Sequence, residues 1–264
     1  MSTIVKTEAV VLRSIDFHET SKIVTFYTRQ YGKIAGIVKG ARRPKNKYGS
    51  SLEPMSYVSL VFYKKEGRDV QTVSNCDVMK PFRYLYEDID KMAIGMAIIE
   101  LMNIVIHERE ENAQLFSLLV NSLNRINSAA TGAINLFYYF EIHLAKDLGF
   151  QPSFDHCVSC KRELKEILDG QTYRFHIERG GLVCTQCSEI SGQKSPLTAD
   201  ALKILRQIIT SNHMDTLLEI KLDEESKGNL ESFILTYLQY HLHGLRPLKS
   251  DKVFSKIIDN TIHP

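Results

Sequence analysis

Residues 22–47 run Lys22-Ile23-Val24-Thr25-Phe26-Tyr27-Thr28-Arg29-Gln30-Tyr31-Gly32-Lys33-Ile34-Ala35-Gly36-Ile37-Val38-Lys39-Gly40-Ala41-Arg42-Arg43-Pro44-Lys45-Asn46-Lys47. β-Branched and aromatic residues lie on both sides of a Tyr31-Gly32 turn, the signature of two paired strands. A run of cations follows, with no acid inside it. Working outward, Ile4 to Leu12 is a further β-branched segment, and Tyr57 to Tyr63 and Val70 to Ser74 flank a Glu66-Gly67 turn. Five short strands in about 80 residues suit a small closed barrel, of which the OB-fold is a common form. An SH3-like barrel is the alternative that periodicity leaves open. One connection is long for such a domain: Gly40 to Pro54, which carries Arg42, Arg43, Lys45 and Lys47.

The pattern changes at Pro81. From Tyr84 to Ile106 apolar residues recur at helical spacing (Ile89, Met92, Ile94, Met96, Ile98, Ile99, Met102), and further helices are expected near Asn112 to Ile126 and Thr131 to Leu148. Several of these stripes are nearly apolar all round, as in helices buried against one another. Thr198 is placed to cap a helix to about Thr210, and Asp223 one through Leu242 that Gly244 and Pro247 would stop. The expected architecture is α+β and multidomain: a five-stranded OB-fold barrel over residues 1–80, then an all-α domain in two parts, 81–148 and 191–248. A cysteine-rich module is inserted at 149–190, and a loosely ordered tail follows at 249–264.

Charge is distributed unevenly. The 264-residue chain has a net charge of +2, yet residues 1–80 hold 14 Lys and Arg against 7 Asp and Glu, and residues 81–150 hold 5 against 9. A balanced chain with one basic third points to a polyanionic partner for that third, or to a basic face that only aids solubility. The longest apolar stretch, Met92 to Ile106, is broken by Glu100 and Asn103 and is shorter than the roughly 20 residues of a membrane span. Met1 to Lys6 leads directly into a strand pattern without an apolar signal core. A cytoplasmic protein is expected.

Cys157-Val158-Ser159-Cys160 and Cys184-Thr185-Gln186-Cys187 are two C-x2-C pairs separated by 23 residues. Two residues between cysteines let one tight turn aim both sulfurs at one ion, and two such knuckles supply the four thiolates that structural zinc prefers. Tyr173 to Ile177 reads as a strand, Gly180-Gly181 as a turn, and Leu182-Val183 as the lead into the second knuckle, together a hairpin of the zinc-ribbon kind. One structural zinc ion on Cys157, Cys160, Cys184 and Cys187 is therefore expected, with a rubredoxin-like iron site or free thiols as the other readings. Binding would supply folding energy to an insert with few other core residues. His156 and His176 are surplus to a filled tetrahedron and are expected at the surface. Cys76, alone on a strand, is expected to be a small buried hydrophobe.

Lys39, Arg42, Arg43, Lys45 and Lys47 place five cations in nine residues, a cluster that would release counterions on meeting a phosphate chain. Arg13, Arg29, Lys33, Lys64, Lys65 and Arg68 add charge to the same domain; of these, Arg13 and Lys33 join the loop cations as candidate DNA-binding residues. Tyr27, Tyr31, Tyr48, Phe62 and Tyr63 could stack on unpaired bases, although alternating aromatics on strands are more often core. No base-reading code is visible, so binding should be salt-sensitive and indifferent to sequence. The chain has no phosphate-loop motif, no His-Glu-x-x-His, no dinucleotide-binding glycine pattern and no nucleophile elbow. His107, His143, His241 and His243 sit within or beside helices as ordinary surface or packing residues. An enzyme is not expected.

These pieces, in this order, resemble the RecO family over about residues 3 to 245. The resemblance rests on Val11-Leu12-Arg13, Glu19-Thr20-Ser21-Lys22, Phe26-Tyr27-Thr28, Gly32-Lys33, Lys39-Gly40-Ala41-Arg42-Arg43-Pro44 and Leu52-Glu53-Pro54 in the first part. In the second it rests on Leu148-Gly149-Phe150-Gln151-Pro152 and Gly180-Gly181-Leu182-Val183-Cys184. His18 departs from it, standing where the family often has glycine. The resemblance implies an OB-fold domain, a helical domain and a zinc module. It also implies binding to single- and double-stranded DNA, strand annealing, action with RecR, and loading of RecA onto strands coated by the single-stranded-DNA-binding protein. That coating protein's acidic C-terminal tail would dock on the helical domain, and the protein would act at the nucleoid. Two other classes stand beside this one: a zinc-containing protein–protein adaptor without direct DNA binding, and a DNA-processing nuclease.

Overall fold

The computed structural model describes residues 2–108, 110–164, 166–167, 171–211, 213–242 and 245. The 249–264 tail, the Gly244 and Pro247 stop signals and His243 lie outside them. Two compact units are formed, Met1–Ser128 and Ala129–Pro247.

In the first unit, β1 (Thr3–Phe17), β2 (Ser21–Thr28), β3 (Gly32–Val38), β4 (Tyr57–Lys64) and β5 (Val70–Lys80) close into a barrel of order β1-β2-β3-β5-β4. β1 serves both sides, its first half pairing with β4 and its second with β2. Closure comes from a short parallel ladder, Ala35 to Val70 through Ile37 to Thr72. Alternation fills the interior with Ala9, Val11, Val24, Phe26, Ile34, Val58, Leu60, Phe62 and Val73. Each such large side chain contributes roughly 1.5–3 kcal/mol of burial. Cys76 belongs to the same core; burial pushes its thiol up to about 12. The long connection contains a short 3-10 turn, Gly49–Leu52, whose flanking Tyr48 and Leu52 also pack into the barrel core.

β1 is longer than its apolar run. A bulge between Val11 and Arg13 shifts the alternation, so Arg13 pairs opposite Thr25 and the polar second half continues as strand. β5 likewise extends to Lys80 through residues that are mostly exposed.

The outer wall of the barrel is apolar where Val10, Leu12 and Tyr27 are buried, and it is covered by helices of the same unit. These are α1 (Arg83–Glu87), α2 (Ile89–Val105) and α3 (Ala113–Ser128). The single helix expected from Tyr84 to Ile106 is broken at Asp88, whose carboxylate accepts the Asp90 and Lys91 N–H groups and so starts α2. Phe116 of α3 packs near Tyr27 and Tyr57, with ring centroids 6.0 and 6.5 Å apart. Phe82 stacks on Tyr57. Gly32 sits at φ 60° with the Glu110 backbone so close that any Cβ would collide at 2.5 Å. The sequence-based grouping of 81–148 with 191–248 thus changes: the helices between residues 83 and 128 belong with the barrel, because its outer wall needs burial. Nor is α2 buried all round, since Ile89, Met92, Met96 and Ile104 are exposed.

The second unit holds α4 (Ala133–Asp147), α5 (Ala199–Thr210), α6 (Glu224–His241) and an antiparallel sheet. That sheet has β6 (Thr172–His176) between β7 (Gly181–Val183) and β8 (Lys194–Thr198). β8 was not anticipated: Lys194-Ser195-Pro196 lacks alternation, and proline is tolerated only because the strand is an edge. Both expected caps form, Thr198 accepting from Ala201 N–H at 3.2 Å and Asp223 from Ser226 N–H at 2.7 Å. The latter bond holds the Asp223 carboxyl below the usual carboxylate range. A depressed folded-state pKa means the cap stabilises fully above the unfolded value near 3.8 and is lost as pH falls through the lower one. Acid-unfolding curves of wild type and Asp223→Ala should therefore differ at neutral pH and converge below that value. Parallel curves at every pH would refute the cap's role.

Candidate metal centre and basic loop

The cysteine knuckles are positioned by backbone bonds. Ser153 N–H donates to Gly180 C=O at 2.8 Å and Ser153 C=O accepts from Leu182 N–H at 3.2 Å, laying the first segment beside β7. Val158 N–H donates to Leu182 C=O at 2.9 Å, tying one knuckle to the strand that leads into the other. Gly181 is required there, because a Cβ would meet Val158 Cγ1 at 2.5 Å. The first knuckle turns through Lys161 at φ 63°, and the second is a 3-10 turn, Thr185–Cys187.

The four sulfurs of Cys157, Cys160, Cys184 and Cys187 lie within 4.8 Å of one another and could hold a metal ion. Cys160 and Cys184 Sγ are 3.7 Å apart. A tetrahedral thiolate site with bonds of about 2.3 Å would have edges of about 3.8 Å, so the donor set and its size fit. Cys157 and Cys184 are buried, Cys187 is partly covered, and Cys160 is exposed. Burial works against the charged form of Cys157, yet N–H groups of Cys184, Cys160 and Ser159 bring its thiol down to about 6. A hydrogen bond with Ser159 favours the Cys187 thiolate, but the crowding sulfurs push that thiol up to about 11. A cation among them would relieve that crowding.

Two sequence-based expectations change here. His176 is buried rather than at the surface: Arg179 N–H donates to its Nδ1, so Nε2 donates to Ser191 C=O at 2.8 Å. His156 is exposed as expected. The insert also has a core of its own. Phe154, Phe175, Phe233 and Tyr237 form a ring cluster with centroids 4.8–6.0 Å apart, joining β6 to α6. Arg206 of α5 bonds to Phe154 C=O and Leu164 C=O and pairs with Asp155.

The basic loop lies at one end of the barrel, with Lys39, Arg42, Arg43, Lys45 and Lys47 all exposed. Arg42 fastens it to the β1–β2 hairpin. Its N–H donates to Thr20 C=O at 3.0 Å, Nη1 to His18 C=O at 2.9 Å, and Nε pairs with Asp16 at 3.1 Å. Lys47 donates to Ser74 C=O at 2.9 Å and Asn75 Oδ1 at 3.1 Å. Among the described residues, Arg43 and Lys45 have no side-chain partner and face solvent. Arg13 is exposed on β1.

Lys33 is placed differently. Its ammonium donates to Asn103 C=O at 2.9 Å, in the last turn of α2, and burial lowers its pKa against the pull of Glu108. It is a strut within the first unit. Lys33→Ala should cost on the order of 1–2 kcal/mol in denaturant unfolding, as for a lost charge-assisted bond, and leave the salt dependence of DNA binding unchanged. A flatter salt slope would return Lys33 to the contact set. Arg29 is likewise committed, to Glu8 at 2.7 Å. Of the candidate stacking aromatics, Tyr27, Tyr48 and Phe62 are buried, Tyr31 packs on Phe62, and Tyr63 is 40% exposed. Sequence reasoning missed a ring pair at the hairpin tip, half-buried Phe17 against exposed His18; nothing in Phe17-His18-Glu19 marks it as more than a turn.

A closed barrel with a cationic loop, followed by helices and a four-sulfur module that could hold a metal, is the architecture of this chain. Two family models match it, and they divide it at the end of the barrel rather than between the two compact units. Residues 1–82 match the family model described as Recombination protein O N terminal, and residues 86–252 the one described as Recombination protein O C terminal. The DNA repair protein RecO of Salinibacter ruber is 32% identical over 97% of this chain and 95% of its own length. Those of Chloroherpeton thalassium and Pelodictyon phaeoclathratiforme are 30% and 31% identical over similar extents. The chain belongs to the RecO family of DNA repair proteins. No described helix is long and apolar enough to cross a membrane.

Proposed function

We propose that this protein is a non-enzymatic mediator of DNA repair and homologous recombination in the RecF pathway. It binds single- and double-stranded DNA through the N-terminal barrel and anneals complementary strands. With RecR it helps load RecA onto DNA coated by the single-stranded-DNA-binding protein, whose acidic C-terminal tail docks on the helices. It works in the cytoplasm, at the nucleoid. The observation that carries this reading is the exposed cluster Lys39, Arg42, Arg43, Lys45 and Lys47 pinned to one end of a closed barrel. The strand order β1-β2-β3-β5-β4 supports an OB-fold, a frame that many single-strand-binding proteins use. Zinc is the ion that four cysteine sulfurs of this spacing fit best, and with every position filled by protein it stabilises rather than reacts.

The test is DNA affinity of the full chain against salt concentration, wild type beside the Arg42→Ala, Arg43→Ala, Lys45→Ala, Lys47→Ala variant, with strand annealing read in parallel. Weaker binding to all sequences and slower annealing are expected. Equal affinity of the two proteins would remove the loop from the interface. Absence of any DNA binding in wild type, with RecR still captured, would make the chain an adaptor.

A further inference from the structure

Phe17 and His18 end β1 as a ring pair, centroids 4.0 Å apart and planes inclined at 64°. Phe17 is half-buried and His18 exposed. His18 has φ 51°, a left-handed conformation that glycine adopts freely and a side chain with a Cβ does not. A ring is therefore carried where the backbone favours having none. The conformation is held from the basic loop, since Arg42 donates to the His18 and Thr20 carbonyls and pairs with Asp16. The tip itself adds Asp16 and Glu19 and no free cation: Lys22, on the same hairpin, is paired with Glu53 at 3.2 Å. It thus attracts no phosphate, while phosphate-binding charge lies immediately beside it at Arg42 and Arg43. Strain, an exposed ring backed by a half-buried one, and adjacent cations coincide at one point.

We propose that Phe17 and His18 form a stacking site for an unpaired nucleobase whose flanking phosphates are held by the loop cations. The site rests on the DNA-binding reading above and deepens it. Every base presents a flat face, so stacking is indifferent to sequence. In a duplex those faces are already stacked and hidden, so the ring pair adds affinity for single strands and none for double strands. It acts without releasing counterions, so it leaves the salt slope alone.

The test uses the full chain with His18→Gly, which removes the ring and relieves the backbone, and Phe17→Leu, which keeps apolar volume at a half-buried position. Oligo-dT and a duplex of equal length are titrated at several salt concentrations, with thermal unfolding alongside. Each variant should bind oligo-dT about 5- to 50-fold more weakly, in the range of lost base–aromatic stacking. The duplex should be bound within twofold of wild type, with salt slopes unchanged, and His18→Gly should unfold at or above the wild-type temperature. Oligo-dT affinity within twofold of wild type would overturn the stacking site. So would equal losses on both DNAs, which would mark the tip as a phosphate contact or a structural support. The Arg43→Ala, Lys45→Ala variant separates the two levels: if it binds both DNAs as wild type does, the loop reading fails independently of the ring pair.

Discussion

Replacing Arg42, Arg43, Lys45 and Lys47 with alanine is expected to lower single-strand affinity between about 25-fold and about 600-fold at 0.1 M salt, with a slope of log affinity against log salt flatter by about 1.4 to 2.8. The range follows from counterion release. Each cation meeting a phosphate of a single strand adds about 0.7 to that slope, hence about 0.7 decades of affinity at a salt concentration one decade below molar. Arg43 and Lys45 face solvent and set the lower bound. Arg42 and Lys47 already hold Asp16, His18, Ser74 and Asn75, so each must share or surrender those bonds and contributes less than a full contact. The measurement is fluorescence anisotropy of a labelled strand across a salt series. Unchanged affinity and slope would show that DNA, if bound, lies elsewhere.

The second large effect falls in the other unit. Cys157→Ser should lose the bound ion and destabilise residues 129–247 by roughly 4 kcal/mol or more, the range reached when a structural metal is lost. Cys157 is completely buried and its sulfur accepts the Cys184 N–H at 3.4 Å, so the substitution strikes both knuckles. Metal analysis should give one zinc per wild-type chain and none in the variant. Hydrogen exchange should speed up most at 153–162 and 181–188. The ring cluster of Phe154, Phe175, Phe233 and Tyr237 keeps β6 on α6, so the loss is graded along the unit rather than complete. The barrel unit should exchange as before. A strong chelator should reproduce the pattern in wild type and add nothing to the variant. A wild-type protein that is metal-free yet equally stable would refute the structural ion.

Much of this molecule was legible in its residues, for reasons that differ by element. The C-x2-C pairs announced their geometry because two-residue spacing has one use at a metal. The barrel strands were found wherever alternation was clean, as in Tyr57 to Tyr63. They were cut short wherever a bulge reversed it, as after Leu12. The break at Asp88 was hidden because the apolar periodicity of α2 runs through its own cap. The assignment of the first three helices to the barrel could have been anticipated from Ala9-Val10-Val11-Leu12: four consecutive apolar residues on a strand require burial on both faces. Lys33 and Arg29 looked like their neighbours in the loop because sequence shows charge and not partners. Asn103 and Glu8, which claim them, lie 70 and 21 positions away. The strain at His18 is a matter of one dihedral angle, which composition does not carry.

A barrel closed on itself has consequences for how it can be approached. Every strand finds a neighbour on each flank over at least part of its length, so the ring offers less idle edge than an open sheet for a foreign peptide to zip onto. Whatever this end of the molecule grips, it grips with side chains and loop tips, so its specificity can be rewritten one residue at a time without touching the frame. The same closure shortens the template that the module would otherwise offer to neighbouring copies of itself.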